Sequence, residues 1–104
     1  MPGGTSELKE VTEEVRSIIS ALQNDAEALA HHQGWNGVVQ SFDPVNYKTQ
    51  VVAGTNYFVD VAVSNDVHFH LRVFRPLPHT GLPAKLSALR IAKPGDEVGY
   101  FEPA

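Results

Sequence analysis

The sequence predicts an α+β domain in which one N-terminal helix packs across an antiparallel sheet of four or five strands. Three observations indicate this class. Apolar residues recur at steps of three and four through the first thirty positions, which is the spacing of one helix face. Beyond Val38, apolar and polar residues alternate as they do along half-buried strands. The turns between these runs are too short for parallel crossovers, so neighbouring strands are expected to be antiparallel.

The helix is expected to follow a polar arm at residues 1–6, with Thr5 or Ser6 as its N-terminal cap. The Asn-Asp pair at 24–25 weakens the helical pattern, so the helix either ends there or continues to about Ala30. Its apolar stripe consists of Leu8, Val11, Val15, Ile18, Ile19, Leu22, Ala26 and Leu29.

Alternating segments separated by turn residues predict the strands. Gly54 is expected to turn the chain after Ala53, Asn65-Asp66 forms a second turn, and the proline-rich segment 75–85 forms a loop. The predicted strands are VNYKTQVV at 45–52, NYFVDVAVS at 56–64, VHFHLRVF at 67–74 and LSALRIA at 86–92, with VVQSF at 38–42 as a possible further edge strand.

Length and composition narrow the class of protein. A chain of 104 residues is expected to form a single domain, residues 1–104. The absence of cysteine excludes disulfides, thiolate metal sites and a cysteine nucleophile. The net charge of −4, with no cluster of basic residues, argues against nucleic-acid binding. No apolar run approaches the ~20 residues of a membrane span, and no signal peptide is recognisable, so a cytoplasmic protein is expected.

The turn at Gln50–Gly54, read QVVAG, places two valines at an exposed tip, where polar residues are more usual. This segment matches the Q-x-V-x-G signature of the cystatins, which inhibit papain-like cysteine proteases. The longer segment YKTQVVAGTNYF resembles the stefins, the intracellular cystatins without disulfides. The resemblance continues in the arm MPGGTSE, in VHFHLRVFRPLPH and in DEVGYF. The chain is longer than a typical stefin around NDAEALAHHQGW, at residues 24–35.

The resemblance implies a helix lying across a curved sheet, with the arm and two hairpin loops aligned along one edge as an apolar wedge. It implies a reversible, competitive and tight-binding inhibitor of papain and of cathepsins of the L, H and B type. No catalytic residue, cofactor or metal is expected. The active form is expected to be a monomer that can also form a domain-swapped dimer. The implied protease-binding residues are Pro2, Gly3, Gly4, Gln50, Val51, Val52, Ala53, Gly54, Leu77, Pro78 and His79.

Three alternatives remain open from the residues alone. The first is an interaction module on the same fold that inhibits no protease. The second is a metal-binding protein that uses the His68-x-His70 pair, although alternation places both side chains on the exposed face, and no carboxylate or cysteine is positioned to complete a set of metal ligands. The third is an enzyme with Asp60 as a base, although Asp60 is expected to point outward. Trp35 is expected to pack against the core, and a glutamate at Gly54 is expected to impair inhibition more than stability.

Overall fold

The computed structural model describes residues 4–102, which form two helical segments and one five-stranded antiparallel sheet. The α+β class is therefore confirmed. Strand order in the sheet follows the chain, β1-β2-β3-β4-β5. The elements are β1 (Lys9–Glu10), α1 (Glu13–Ala21), α2 (Gln23–His32), β2 (Asp43–Val52), β3 (Gly54–Ala62), β4 (His68–Arg75), a short 3₁₀ turn (Pro78–Thr80) and β5 (Lys85–Ala92).

The first helix begins later than the sequence pattern indicated. Thr12 is its N-cap, and the Thr12 hydroxyl accepts a hydrogen bond from the backbone N–H of Val15. Glu13 and Glu14 then lie in the first turn, where carboxylates interact favourably with the helix dipole. The residues before Thr12 instead pair with the edge of β2 as β1. The prediction of a cap at Thr5 or Ser6 is therefore wrong, and Leu8 is exposed rather than part of the helical stripe.

The helix continues past Ala30, with one interruption at Leu22. The backbone N–H of Leu22 bonds to Ile19 O at 3.0 Å, a tightened turn that separates α1 from α2. The segment 24–35, where extra residues relative to a typical stefin are expected, is therefore largely helical. The helix ends at His32, and Gly34 follows with a φ of 95°, a left-handed conformation that favours glycine.

One face of the sheet packs against both helices and forms the core. Trp35 contributes to its margin as expected: its ring meets Phe69 edge-on at 5.1 Å and stacks on His31 at 5.6 Å. The segment 38–42 contains no strand, and Val38 is exposed. The buried core residues are Val15, Ile19, Leu22, Ala26, Ala30, Tyr47, Tyr57, Val59, Val61, Val63, Phe69, Leu71, Val73 and Leu89.

The opposite face of the sheet is covered by the C-terminal segment, residues 98–102. Its aromatic rings lie 5.6 and 6.1 Å from the ring of Phe58, and the Arg72 guanidinium donates to Phe101 O at 3.0 Å. Under this cover Asp60 and His70 are buried, and His68 is largely so. The predictions of an outward Asp60 and of exposed histidines are therefore wrong, because alternation identifies the second face without showing what packs on it.

Asp60, His68 and His70 form a buried polar cluster on that face. Asp60 Oδ1 lies 2.7 Å from His68 Nδ1 and 3.5 Å from His70 Nε2. Arg90 donates two hydrogen bonds to His70 Nδ1, at 3.1 and 3.3 Å, so this imidazole is an acceptor there and carries its proton on Nε2. The Asp60 carboxylate thus lies beside both histidines. Among residues 4–102, however, no three histidine or carboxylate side chains are arranged to hold a metal ion.

The cluster predicts acid sensitivity of folding. Burial raises the pKa of Asp60, but the ring N–H groups of His70 and His68 that face its carboxylate outweigh burial and hold the pKa below its ordinary value. A carboxylate whose pKa is lower in the folded state contributes its full stability above the unfolded pKa. That contribution is lost as the pH falls through the folded pKa, so stability should decline below about pH 4.

The measurement is the free energy of unfolding between pH 2 and 7. Asp60→Asn is expected to lower stability at pH 7 and to flatten the acid limb. Asp43→Asn is the control, because its exposed ion pair with Arg16 contributes little. An acid limb in Asp60→Asn as steep as in the parent would contradict this assignment.

Candidate functional site

The two loops implicated by the sequence leave the sheet at the same end. β2 ends at Val52 and β3 starts at Gly54, while β4 ends at Arg75 and β5 starts at Lys85. Because consecutive strands are antiparallel, both connections lie on one edge. Gly54 and Thr55 share a groove of about 180 Å³ with residues 75–78, so the loops are adjacent. We call the hairpin tip (50–54), the β4–β5 loop (76–84) and Gly4 together the loop edge.

The N-terminal arm runs toward the same edge. Ser6 is bonded twice to Thr49: the Ser6 N–H donates to Thr49 O at 2.7 Å, and the Thr49 N–H donates to Ser6 Oγ at 3.0 Å. The antiparallel register then continues through Lys9, which faces Tyr47. Gly4 and Thr5 therefore continue toward the hairpin tip, and Gly4 is exposed. Pro2 and Gly3 lie outside the described residues.

The hairpin tip is unusually short. Val52 pairs directly with Gly54, which leaves Ala53 as the single connecting residue. The predicted turn at this position is therefore present. Val51 is 80% exposed, and Val52 and Ala53 are exposed as well. The tip thus presents three adjacent apolar side chains to solvent, a feature typical of an interaction site.

Gln50 and Gly54 flank this tip but face the interior. Gln50 is only 3% exposed, and its Oε1 accepts from Asn56 Nδ2 at 3.0 Å across the β2–β3 pair. Gly54 is buried with a φ of 132°, and a Cβ atom there would lie 2.6 Å from Arg75 O and 2.9 Å from the Phe74 ring. A glutamate at Gly54 is therefore expected to lower stability as well as inhibition, since the site has no room for any side chain.

The second loop is exposed and internally bonded. Leu77, Pro78 and His79 are all exposed, and the chain turns back at Gly81, whose φ is 68°. At the root of the loop the Arg75 guanidinium lies 2.9 Å from a Glu14 carboxylate oxygen and 3.4 Å from the Tyr57 hydroxyl. The loop is thereby tied to the start of α1 and to β3.

The loop edge contains one exposed apolar residue that the sequence pattern did not single out. Leu82 is 64% exposed and follows Gly81 in the same loop. The sequence could have identified Leu82, because it lies between Gly81 and Pro83, outside any segment with helix or strand periodicity. An apolar residue in such a loop is expected to be exposed.

Comparison with known proteins connects this edge to a family. The sequence pattern of the cystatin domain matches residues 3–88. The chain belongs to the cystatin family. It is 37% identical over 98 residues to Cystatin-B of Mus musculus, covering 93% of this chain and 88% of that protein. It is 34% identical over 97 residues to Cystatin-A1 and 33% identical over 97 residues to Leukocyte cysteine proteinase inhibitor 1, both of Sus scrofa, covering 93% of this chain and 89% of each relative.

The relatives confirm the stefin resemblance, since Cystatin-A and Cystatin-B are the stefins of this family. Cystatins are protease inhibitors rather than enzymes, which agrees with the expectation that this chain is an inhibitor and not an enzyme. Within residues 4–102, no helix has the length and apolar character to cross a bilayer.

Proposed function

We propose that this cystatin is a reversible, competitive and tight-binding inhibitor of papain-like cysteine proteases, including cathepsins of the L, H and B type. The observation that carries the proposal is the convergence of exposed apolar residues on one edge, from two loops with the arm alongside. The relative named Leukocyte cysteine proteinase inhibitor 1 supports the same activity. We propose a monomer as the active form and the cytoplasm as its location.

The proposed mechanism is steric exclusion. Val51, Val52 and Ala53 enter the cleft from the hairpin, and Leu77 and Pro78 enter beside them. Their apolar area leaves water on binding, which favours association. The short tip and the hydrogen-bonded second loop have little conformational freedom to lose on binding. The loss of conformational entropy therefore offsets less of the free energy gained from apolar burial. The inhibitor supplies no nucleophile and need not be cleaved, because it only has to occupy the space of the substrate.

Within the proposed binding set, Gln50 and Gly54 act from inside the fold. The Gln50–Asn56 hydrogen bond fixes β2 against β3 immediately before the tip. Gly54 allows the chain to reverse within one residue and to lie against Arg75. We propose that both residues position the valines, while Val51, Val52, Ala53, Leu77, Pro78 and His79 make the contacts together with Pro2, Gly3 and Gly4.

The test is inhibition of papain and of cathepsins L and B by the folded protein. Competitive kinetics are expected, with a raised apparent KM and an unchanged kcat. Papain activity unaffected at roughly 10 μM inhibitor, far above the nanomolar affinities of tight complexes, would disprove the proposal. A non-inhibitory interaction module would produce that result.

Deleting residues 1–4 is expected to weaken papain binding without unfolding the domain. The deletion keeps Ser6, which provides both hydrogen bonds to Thr49, and Gly4 has no atom within 4 Å of where a Cβ would stand. We expect about tenfold weaker inhibition, mainly through faster dissociation. Stopped-flow kinetics and thermal melts provide the measurement. A melting temperature lowered by several degrees with unchanged affinity would contradict both parts of this expectation.

A further inference from the structure

Leu82 occupies a position that the family signature does not mark. It lies in the β4–β5 loop, three residues beyond His79, and its side chain is 64% exposed. Monomeric proteins do expose single leucines, so exposure alone has no functional meaning. What distinguishes Leu82 is its rigid backbone and its place beside the proposed contact residues.

The backbone at Leu82 is fixed by the same hydrogen bonds that fix Leu77. Thr80 is the link: its hydroxyl donates to Leu77 O at 2.8 Å and accepts from the Leu82 N–H at 3.3 Å. The Gly81 N–H also bonds to Pro78 O at 3.2 Å, and Pro83 restricts the residue before it. These hydrogen bonds hold Leu77 and Leu82 in fixed positions relative to each other within the β4–β5 loop.

A groove of about 490 Å³ lies between the hairpin tip and this loop. Ala53 and Leu82 both line it, together with Phe74 of β4. The remaining lining is Pro76, Leu77, Thr80, Pro83 and Lys85, so the groove is largely apolar. The groove adjoins the loop edge, because Ala53 and Leu77 belong to both.

We propose that Leu82 is a specificity-determining residue of the inhibitor and that the groove between Ala53 and Leu82 holds an apolar side chain from the wall of the protease cleft. The inference rests on the proposed function. A cleft that receives Ala53 and Leu77 must also cover the space between them. An apolar side chain is the occupant that loses no hydrogen bonds in that groove. Proteases with a polar or charged residue at this point of the cleft wall should bind less tightly.

The experiment compares three variants with the parent against papain and cathepsins L and B. Leu82→Ser removes the apolar wall and should weaken inhibition about 5- to 30-fold, by an amount that differs between proteases. Leu82→Met keeps the apolar area and should stay near the parent. Val38→Ser is the control, because Val38 is 76% exposed and precedes β2 at the opposite end of the sheet. All variants should melt within a few degrees of the parent, since Leu82 is outside the core.

The outcomes separate this inference from the proposed function. If the parent fails to inhibit, the proposed function fails and the inference fails with it. If the parent inhibits and Leu82→Ser is equally potent against every protease, only the inference is overturned. Size exclusion at assay concentrations tests whether a second copy of this chain, and not the protease, occupies the groove. A parent dimer that Leu82→Ser dissociates would also overturn the assignment to the protease.

Discussion

Gly54→Ala is expected to lower the melting temperature by roughly 10 °C or more and to weaken papain inhibition strongly. Two costs combine at this residue. The φ of 132° is a conformation that L-residues rarely adopt, which costs about 1–3 kcal/mol. The added Cβ would also lie 2.6 Å from Arg75 O, and relieving such a collision costs about 1–3 kcal/mol more. For a domain of this size each kcal/mol corresponds to a melting shift of about 4–8 °C.

Gly95→Ala is the matched control for this substitution. Gly95 also has a positive φ, 90°, but no atom lies within 4 Å of where its Cβ would stand. It follows β5 at the end of the sheet away from the loop edge. Thermal melts should therefore show a smaller loss of stability for Gly95→Ala, and papain inhibition should be unchanged. A Gly54→Ala protein that melts and inhibits like the parent would refute the account of a crowded, strained tip.

The sequence predicts the loop edge better than it predicts the sheet face that residues 98–102 cover. Hairpin strands can be located from period-two alternation, and a glycine between two such runs indicates the reversal at Ala53 and Gly54. Alternation also assigns side chains to two faces. It does not say that a tail will cover one of them, so Asp60 and His70 were expected in solvent. The contacts of Phe58 with the C-terminal rings and the hydrogen bond from Arg72 to Phe101 O show that this face is covered.

The helix starts later than its apolar periodicity predicts, for a different reason. Leu8 and Val11 continue the three-and-four spacing, so periodicity extends the helix too far toward the N-terminus. Thr12 followed by Glu13 and Glu14 is a recognisable N-terminal signal, and it outweighs two apolar residues. The residues before Thr12 gain backbone hydrogen bonds along β2, which no local pattern records.

The sequence pattern identifies the candidate site residues, but it predicts the exposure of only some of them. Exposed contact candidates such as Val51 and Leu77 can be recognised from apolar residues in turns. Gln50 belongs to the same signature, yet its side chain is buried against Asn56. A motif marks which residues matter to the loop, while the structure separates those that face a partner from those that hold the loop in place.

The short tip also leads to the expectation of a domain-swapped dimer that does not inhibit. One residue, Ala53, reverses the chain, and short strained hinges favour exchange between molecules. Val51 and Val52 are β-branched and prefer extended backbone. If residues 52–54 straighten, β2 and β3 become one continuous strand from 43 to 62. The helices and β2 of one chain then pack on β3–β5 of another and reproduce the core contacts of the monomer.

Exchange abolishes the hairpin tip, so the dimer is expected to lose papain inhibition although its core is intact. The protein is concentrated and warmed, monomer and dimer are separated by size exclusion, and each is assayed against papain. Dilution and warming of the isolated dimer should return monomer and inhibition together. A dimer as inhibitory per chain as the monomer would exclude exchange through this loop.

Changing the hinge tests the physical cause. Inserting a glycine after Ala53 lengthens the connection between β2 and β3 to two residues, the commonest hairpin loop, and should reduce the dimer fraction at a given concentration. Gly54→Ala should act in the opposite direction, because the penalty from its φ of 132° disappears once the residue is extended. Both variants alter the tip, so the measured quantity is the monomer–dimer equilibrium rather than inhibition. If the longer tip exchanges as readily as the parent, strain at Ala53 and Gly54 is not what drives the swap.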